Sequence, residues 1–97
     1  MQLYVILRRN GFTSPEDLAE AAQRSAAAGD APGSGVRWIR SYALDEESGE
    51  VGTVCIYEAD GPEAIRAHAR ASGMQADEII RVADTIVVRP DPAPVSA

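Results

Sequence analysis

The side chains best suited to binding or catalysis lie close together in the middle of the chain. Trp38, Arg40 and Tyr42 alternate along one segment, and Cys55 and Tyr57 alternate along a second. Alternation with a period of two places residues i and i+2 of a strand on the same face. We therefore predict that these five side chains share one surface and line a ligand cavity. The alternative interpretation is that the aromatic rings only fill an interface between two copies of the chain.

Few residues of this chain are suited to ligating a transition metal. His68 and Cys55 are the only histidine and the only cysteine, and they are therefore the candidate metal ligands. We expect them in opposite layers, because Cys55 lies on a predicted strand and His68 follows Ile65 by three residues on a predicted helix. A histidine without a patterned partner is more often a boundary residue than a ligand. The pattern therefore favours a structural position for His68 over a metal site.

Arg40 has two interpretations that the sequence leaves open. Its guanidinium stays protonated and cannot ligate a metal, but it can bind a planar or anionic small molecule through paired hydrogen bonds and stacking. The alternative is an ion pair with a carboxylate such as Asp84 or Glu58 across a dimer interface.

Composition excludes several classes of partner. The formal net charge is -6, and the nine basic residues are all arginines scattered among a larger number of acids, which argues against nucleic acid as a partner. No apolar run approaches the roughly 18 residues that a membrane span needs. The start of the chain lacks the pattern of a secretory signal, and a lone cysteine suits a reducing compartment. We therefore expect a cytoplasmic protein.

Turn and cap residues divide the chain into four strands and two helices. A turn signal at residues 10–11 ends the first strand, and Ser14 then caps a helix that stops at Gly29. Asp60 and Gly73 bound the second helix in the same way. The predicted elements are strand 2–9, helix 13–29, strands 36–44 and 51–59 joined as an antiparallel hairpin, helix 60–73 and strand 76–88.

The order β-α-β-β-α-β is that of a ferredoxin-like sandwich, an α+β fold in which two helices cover one face of a four-stranded antiparallel sheet. We predict one such domain over residues 1–89 and a disordered tail over residues 90–97, where prolines alternate with small and polar residues. We place the five cavity residues on the face away from the helices. A homodimer of the α/β barrel type, with two sheets packed face to face, would cover that face.

Several spaced motifs resemble one bacterial family. They are SPEDLAEAAQRS, VRWIRSY, CIYEADGPEAIRAHARASGM and ADEI. From residue 4 to about residue 88 the chain is similar to the family called domain of unknown function 4242. The matching residues are Trp38, Ser41, Tyr42, Cys55, Tyr57, Arg66, His68, Ala69 and Gly73. The resemblance implies a ferredoxin-like dimer, and one branch of the family binds nickel.

Two positions depart from the family pattern. The resemblance implies a histidine where this chain has Arg40 and a glutamate where it has Leu7. Imidazole and carboxylate ligate nickel, whereas guanidinium and an alkyl chain do not. Both departures therefore remove metal-binding capacity, and they shift the expectation from nickel toward a small organic ligand.

Together these observations predict a small non-enzymatic binding protein, a homodimer whose cavity holds a metal ion or a small organic molecule. The alternatives are a cofactor-free enzyme of the dimeric α/β barrel type and a purely structural or regulatory dimer module. The sequence shows no nucleophile next to a base, no phosphate-binding glycine motif and no pair of catalytic carboxylates, which favours binding over catalysis.

Overall fold

A computed structural model describes residues 1–30, 33–74 and 76–93. The elements follow the predicted order β-α-β-β-α-β. They are β1 (Gln2–Phe12), α1 (Pro15–Asp30), β2 (Val36–Asp45), β3 (Val51–Ala59), α2 (Pro62–Ser72) and β4 (Glu78–Arg81). The predicted α+β class and ferredoxin-like order are therefore confirmed.

The four strands form one antiparallel sheet in the order β2-β3-β1-β4. β1 is central and pairs with β3 from Gln2 opposite Ala59 to Arg8 opposite Thr53. On its other side β1 pairs with the short β4 over four residues, from Tyr4 to Leu7. Each helix joins two strands that are not neighbours, and the two helices pack on each other and on the same face of the sheet.

The helix ends follow the predicted cap residues in two of four cases. The Asp17 N–H donates to Ser14 Oγ at 3.1 Å, as expected of an N-cap serine. Gly73 ends α2 in the left-handed conformation with φ 71°, which glycine adopts at little cost. α1 runs one residue past the predicted stop at Gly29. The prediction that Asp60 caps α2 is wrong, because Gly61 occupies the N-cap and the cap has no side-chain hydrogen bond.

The core lies between the helices and one face of the sheet, which we call the covered face. β1 and β3 contribute alternate residues to it, because opposed residues of antiparallel strands point to the same side. The core cluster consists of Tyr4, Ile6, Val36, Cys55, Tyr57, Ala59 and Ile65. The opposite face, which we call the open face, carries the other alternate residues of β1 and β3, namely Leu3, Val5, Leu7, Val54 and Ile56.

A β-bulge in β2 divides the five predicted cavity residues between the two faces. Trp38 lies opposite Tyr57, whereas Arg40 lies opposite Ile56, so Ile39 is an extra residue without a partner position on β3. One extra residue reverses the alternation of a strand. Trp38 therefore lies on the covered face and Arg40 on the open face.

The prediction that all five share the open face is therefore wrong. Trp38, Cys55 and Tyr57 pack in or against the core under the helices. Only Arg40 and Tyr42 lie on the open face, opposite Ile56 and Val54 respectively.

Residues 82–93, which we call the C-terminal segment, follow a β4 that is shorter than predicted. The Val82 N–H still donates to the Leu3 carbonyl at 2.9 Å, but the rest of the segment is not part of the sheet. Ile86, Val87 and Val88 are 87%, 73% and 77% exposed. The predicted disordered tail falls partly on residues 94–97, which lie outside the described residues, and it stays a prediction. Within the described part of the chain, no helix has the length and apolar character needed to cross a bilayer.

Candidate functional site

Three buried polar side chains from three elements meet beneath the helices, and we call them the buried polar cluster. They are Ser25 of α1, Tyr57 of β3 and His68 of α2. Ser25 Oγ lies 2.8 Å from the Tyr57 hydroxyl and 2.9 Å from His68 Nε2, and the Tyr57 hydroxyl lies 3.3 Å from that nitrogen. Their exposed fractions are 1%, 1% and 4% respectively. The cluster therefore ties both helices to the sheet.

The surroundings keep the buried polar cluster uncharged. Burial, and secondly the charge of Arg8, lowers the pKa of the His68 imidazole. Burial also raises the pKa of the Tyr57 hydroxyl, against the hydrogen bond with Ser25. With a neutral His68 whose Nε2 accepts, Tyr57 can donate to Ser25 and Ser25 can donate to His68, so both hydroxyl hydrogens are used. His68 Nδ1 then carries the ring hydrogen, and it has no hydrogen-bond partner among the described residues.

A serine hydroxyl 2.9 Å from a histidine nitrogen has the spacing of an activated nucleophile and its base. The expectation that no nucleophile lies next to a base is therefore wrong as a statement about geometry. Burial argues against catalysis all the same, because a substrate has no access to a hydroxyl that is 1% exposed. Trp38 further closes the cluster by stacking on the Tyr57 ring, with centroids 6.1 Å apart and planes at 6°. The buried polar cluster is best explained as a device that holds the fold.

Cys55 lies in the same layer as His68, not in the opposite one as predicted. Its thiol is buried and is not part of a disulfide. Arg8, which is 1% exposed, donates from Nη1 to Cys55 Sγ at 3.2 Å. The Cys55 sulfur is therefore already engaged by a guanidinium.

The residues present do not fit a nickel ion held within one chain. Among the described residues, no group of three or more histidine, cysteine, aspartate or glutamate side chains is placed to hold a metal. The two candidate ligands are also engaged elsewhere, since His68 Nε2 contacts two hydroxyls and Cys55 Sγ accepts from Arg8. Moving either side chain toward a metal would leave buried polar groups without their partners, which is costly.

The open face carries a different polar arrangement, built from Arg40, Tyr42 and the C-terminal segment. Arg40 Nη1 donates to Asp91 Oδ2 at 2.7 Å, and the Tyr42 hydroxyl donates to the same oxygen. The hydrogen bond from Tyr42, reinforced by the hydrogen bond and charge of Arg40, lowers the pKa of Asp91. The carboxylate partner of Arg40 in this chain is therefore Asp91, not Asp84 or Glu58.

A broad groove of about 1600 Å³ runs between the open face and the C-terminal segment. Leu3 and Ile56 contribute apolar side chains from the sheet, and residues 86–88 contribute them from the segment. Arg40 and Tyr42 lie on the same wall. The groove therefore combines apolar surface with polar side chains, and it is larger than a typical small-molecule pocket.

Sequence reasoning missed three residues of these arrangements, namely Ser25, Arg8 and Asp91. Ser25 carried a readable signal, because it lies four residues after Ala21 on the buried stripe of α1, where a polar side chain needs a partner. Arg8 carried a weaker one, because the alternation of β1 places it on the same side as Tyr4 and Ile6. Asp91 carried no signal that the sequence could show, because its partners Arg40 and Tyr42 lie 51 and 49 positions earlier in the chain.

Comparison with known proteins identifies the family. The model for nickel responsive SCO4226-like proteins matches residues 4–82. Among solved structures, that of SCO4226 from Streptomyces coelicolor A3(2) is similar, with a TM-score of 0.71 and 22% sequence identity over 87% of this chain and 99% of that chain. A likeness at that identity shows the fold. None of the curated proteins gives a match.

These comparisons agree with the nickel-related part of the resemblance and with the ferredoxin-like fold. The name domain of unknown function 4242 stays a prediction. The family match runs from β1 through β4, and so includes both the buried polar cluster and the open-face strands. The chain therefore belongs to the SCO4226-like family of nickel responsive proteins.

Proposed function

We propose that this protein is a non-enzymatic cytoplasmic homodimer that binds a small organic ligand over the open face of its sheet. The observation that carries the proposal is the groove on that face, where apolar side chains lie beside the donors Arg40 and Tyr42 and further polar residues of the C-terminal segment. A cavity that combines apolar surface with placed polar groups can bind and orient a ligand without supplying chemistry.

The apolar surface of the open face supports a second copy of the chain as its cover. Leu3, Val5, Leu7, Val54 and Ile56 are only half-buried there. Ile86, Val87 and Val88 add three consecutive apolar side chains that are almost entirely exposed. Contiguous exposed apolar surface is uncommon on monomers, and a 97-residue chain gains stability from an added interface.

The family is described as nickel responsive, and we propose that this chain has lost nickel binding at its open face. Arg40 and Leu7 replace the histidine and glutamate that the resemblance implies. Both lie on the open face, on opposite sides of β3. Leu7 pairs with Val54 of β3 and Arg40 pairs with Ile56, which is the next open-face residue of that strand. Strand and residue spacings place their Cα atoms about 12 Å apart, within reach of a shared ion for longer ligating side chains.

Catalysis receives less support than binding. The Ser25–His68 pair has reactive spacing but is buried, and the cofactor-free enzyme interpretation otherwise depends on analogy between folds. A purely structural dimer is the third interpretation, and it predicts that no ligand binds in the groove.

Native mass spectrometry and calorimetric titration with nickel test this proposal. The wild-type protein should be a dimer that takes up no stoichiometric nickel, and Leu7→Glu combined with Arg40→His should bind it. Leu7→Glu combined with Arg37→His is the matched control, because position 37 lies two rows from position 7, about 17 Å away. A monomeric wild type, or one nickel ion per wild-type subunit, would contradict the proposal.

A further inference from the structure

Two donors on neighbouring open-face positions of β2 converge on one carboxylate oxygen. Arg40 Nη1 lies 2.7 Å from Asp91 Oδ2, and the Tyr42 hydroxyl donates to the same atom. A guanidinium that stays charged and a neutral phenol form charge-assisted hydrogen bonds to a carboxylate. The geometry is thus already that of a carboxylate site, and a residue of the chain itself occupies it.

Asp91 is held in a way that allows an external carboxylate to replace it. Asp91 belongs to the C-terminal segment, ten residues after the last residue of β4, and not to the packed domain. The side chains of Arg40 and Asp91 are 49% and 47% exposed. Ion pairs at such exposure contribute little to stability, so an external carboxylate can replace Asp91 without opening the core.

The surroundings define the rest of the ligand. The groove beside Arg40 and Tyr42 is lined by Leu3, Ile56 and residues 86–88, together with the polar Asp84, Thr85 and Arg89. An apolar body attached to the carboxylate would lie against the apolar part of this surface. Its volume of about 1600 Å³ exceeds what one small molecule needs. A simple inorganic anion would use only the two donors and none of this surface.

We propose that Arg40 and Tyr42 form the binding site for the carboxylate of a small organic acid with an apolar body, and that Asp91 is an internal ligand that competes for it. This inference rests on the proposed function, since it names the ligand class of the same groove. A tethered competitor acts at a fixed effective concentration, so it lowers the apparent affinity for external acids by a constant factor.

Benzoate is a suitable probe, because it joins a carboxylate to a planar apolar ring, and benzamide is its uncharged counterpart. Titrations followed by NMR would compare the full-length wild type with Asp91→Ala, Arg40→Gln and Tyr42→Phe. Removing the competitor should raise benzoate affinity about fivefold in Asp91→Ala, in line with the modest strength of exposed ion pairs. Arg40→Gln in the Asp91→Ala background should lose at least about tenfold, because it removes the charged donor. Tyr42→Phe should lose a few-fold.

Matched variants separate the specific contacts from general charge. Asp84→Ala removes the same charge from the same segment without removing a bond to Arg40, and its effect should stay below about twofold. Arg37→Gln removes an open-face guanidinium that pairs with Glu58, and it should likewise stay below about twofold. Equal effects of Asp91→Ala and Asp84→Ala would overturn the competition. Equal binding of benzoate and benzamide, or no saturable benzoate binding in Asp91→Ala, would overturn the carboxylate site.

The outcomes also separate this inference from the proposed function. A nickel-free dimer that ignores benzoate in every variant would refute the carboxylate site while leaving open-face dimerisation intact. A monomer in native mass spectrometry that binds benzoate through Arg40 would support the carboxylate site and contradict the homodimer.

Discussion

Removing the Tyr57 hydroxyl should destabilise the fold by a predictable amount, because the cluster that contains it has a redundant partner. In Tyr57→Phe the ring remains stacked on Trp38, and Ser25 Oγ keeps its contact with His68 Nε2 at 2.9 Å. The loss is therefore the net value of one buried hydrogen bond, about 1 kcal/mol. For a domain of this size that corresponds to a decrease in Tm of about 4–8 °C.

The double variant carries the sharper expectation. Ser25→Ala alone leaves the Tyr57 hydroxyl and His68 Nε2 at 3.3 Å, so these two can still bond and the loss is again about 1 kcal/mol. With both hydroxyls gone, His68 Nε2 loses both of the partners that it has in the cluster. An unsatisfied buried polar group costs about 1–3 kcal/mol, so the double variant should lose more than the sum of the two single variants.

Urea unfolding followed by the fluorescence of the only tryptophan, Trp38, measures these differences, at one fixed protein concentration because a dimer's stability depends on concentration. Tyr42→Phe is the control: its hydroxyl donates to Asp91, but both side chains are about half exposed, so the change in stability should stay below about 0.5 kcal/mol. A double variant whose loss equals the sum of the single losses would refute the redundancy. A Tyr57→Phe protein as stable as wild type would refute the role of the hydroxyl altogether.

Two further predictions follow from the same part of the molecule. Because burial lowers the pKa of His68, the unfolded chain binds a proton first as pH falls, so the unfolding free energy should decrease as pH falls below about 6.5 and level off below the lowered folded-state pKa. Urea midpoints measured between pH 7.5 and roughly 5 should decrease with falling pH in wild type and not in His68→Gln. An equal decrease in both proteins would show that another group causes the pH dependence. Gly29→Ala should stabilise the protein by about 0.5–1 kcal/mol, because a Cβ there meets His68 Cε1 at 3.5 Å and Val36 Cγ2 at 3.8 Å, which are ordinary contacts. A lower thermal midpoint for Gly29→Ala would show that the space beside His68 is needed.

The order of the elements was predictable because it depends on local signals. Ser14 caps α1 through a hydrogen bond to a residue three positions later, and Gly73 ends α2 by adopting a positive φ. Such signals act within a few residues and can be recognised in the sequence alone. The exact end of β4 was not predictable, since β propensity continues through residues 86–88 although none of the described strands pairs with them.

The faces of the hairpin were not predictable, because they depend on one inserted residue and on distant partners. Ile39 reverses the alternation of β2, and nothing in its own chemistry marks a bulge. On β3 both alternate sets are apolar enough to be buried. Tyr57 lies inward because Ser25 and His68, 32 and 11 positions away, provide hydrogen-bond partners for its hydroxyl. Such pairings form only in the folded chain.

The bulge at Ile39 separates the shared Trp38, which packs against the core, from the departure at Arg40, which lies on the open face. Most residues that carry the family resemblance serve the interior: Trp38 Nε1 donates to Ser41 Oγ at 2.7 Å, and Tyr57 and His68 belong to the buried polar cluster. The two departures, Arg40 and Leu7, lie on the open face.

Substitutions on the open face leave the hydrogen bonds under the helices intact, because the sheet separates the two sets of side chains. The interior residues of the shared motifs therefore account for the fold that this chain has in common with the family. Arg40, on the open face, carries a guanidinium, a group that can pair with a carboxylate and cannot ligate a metal.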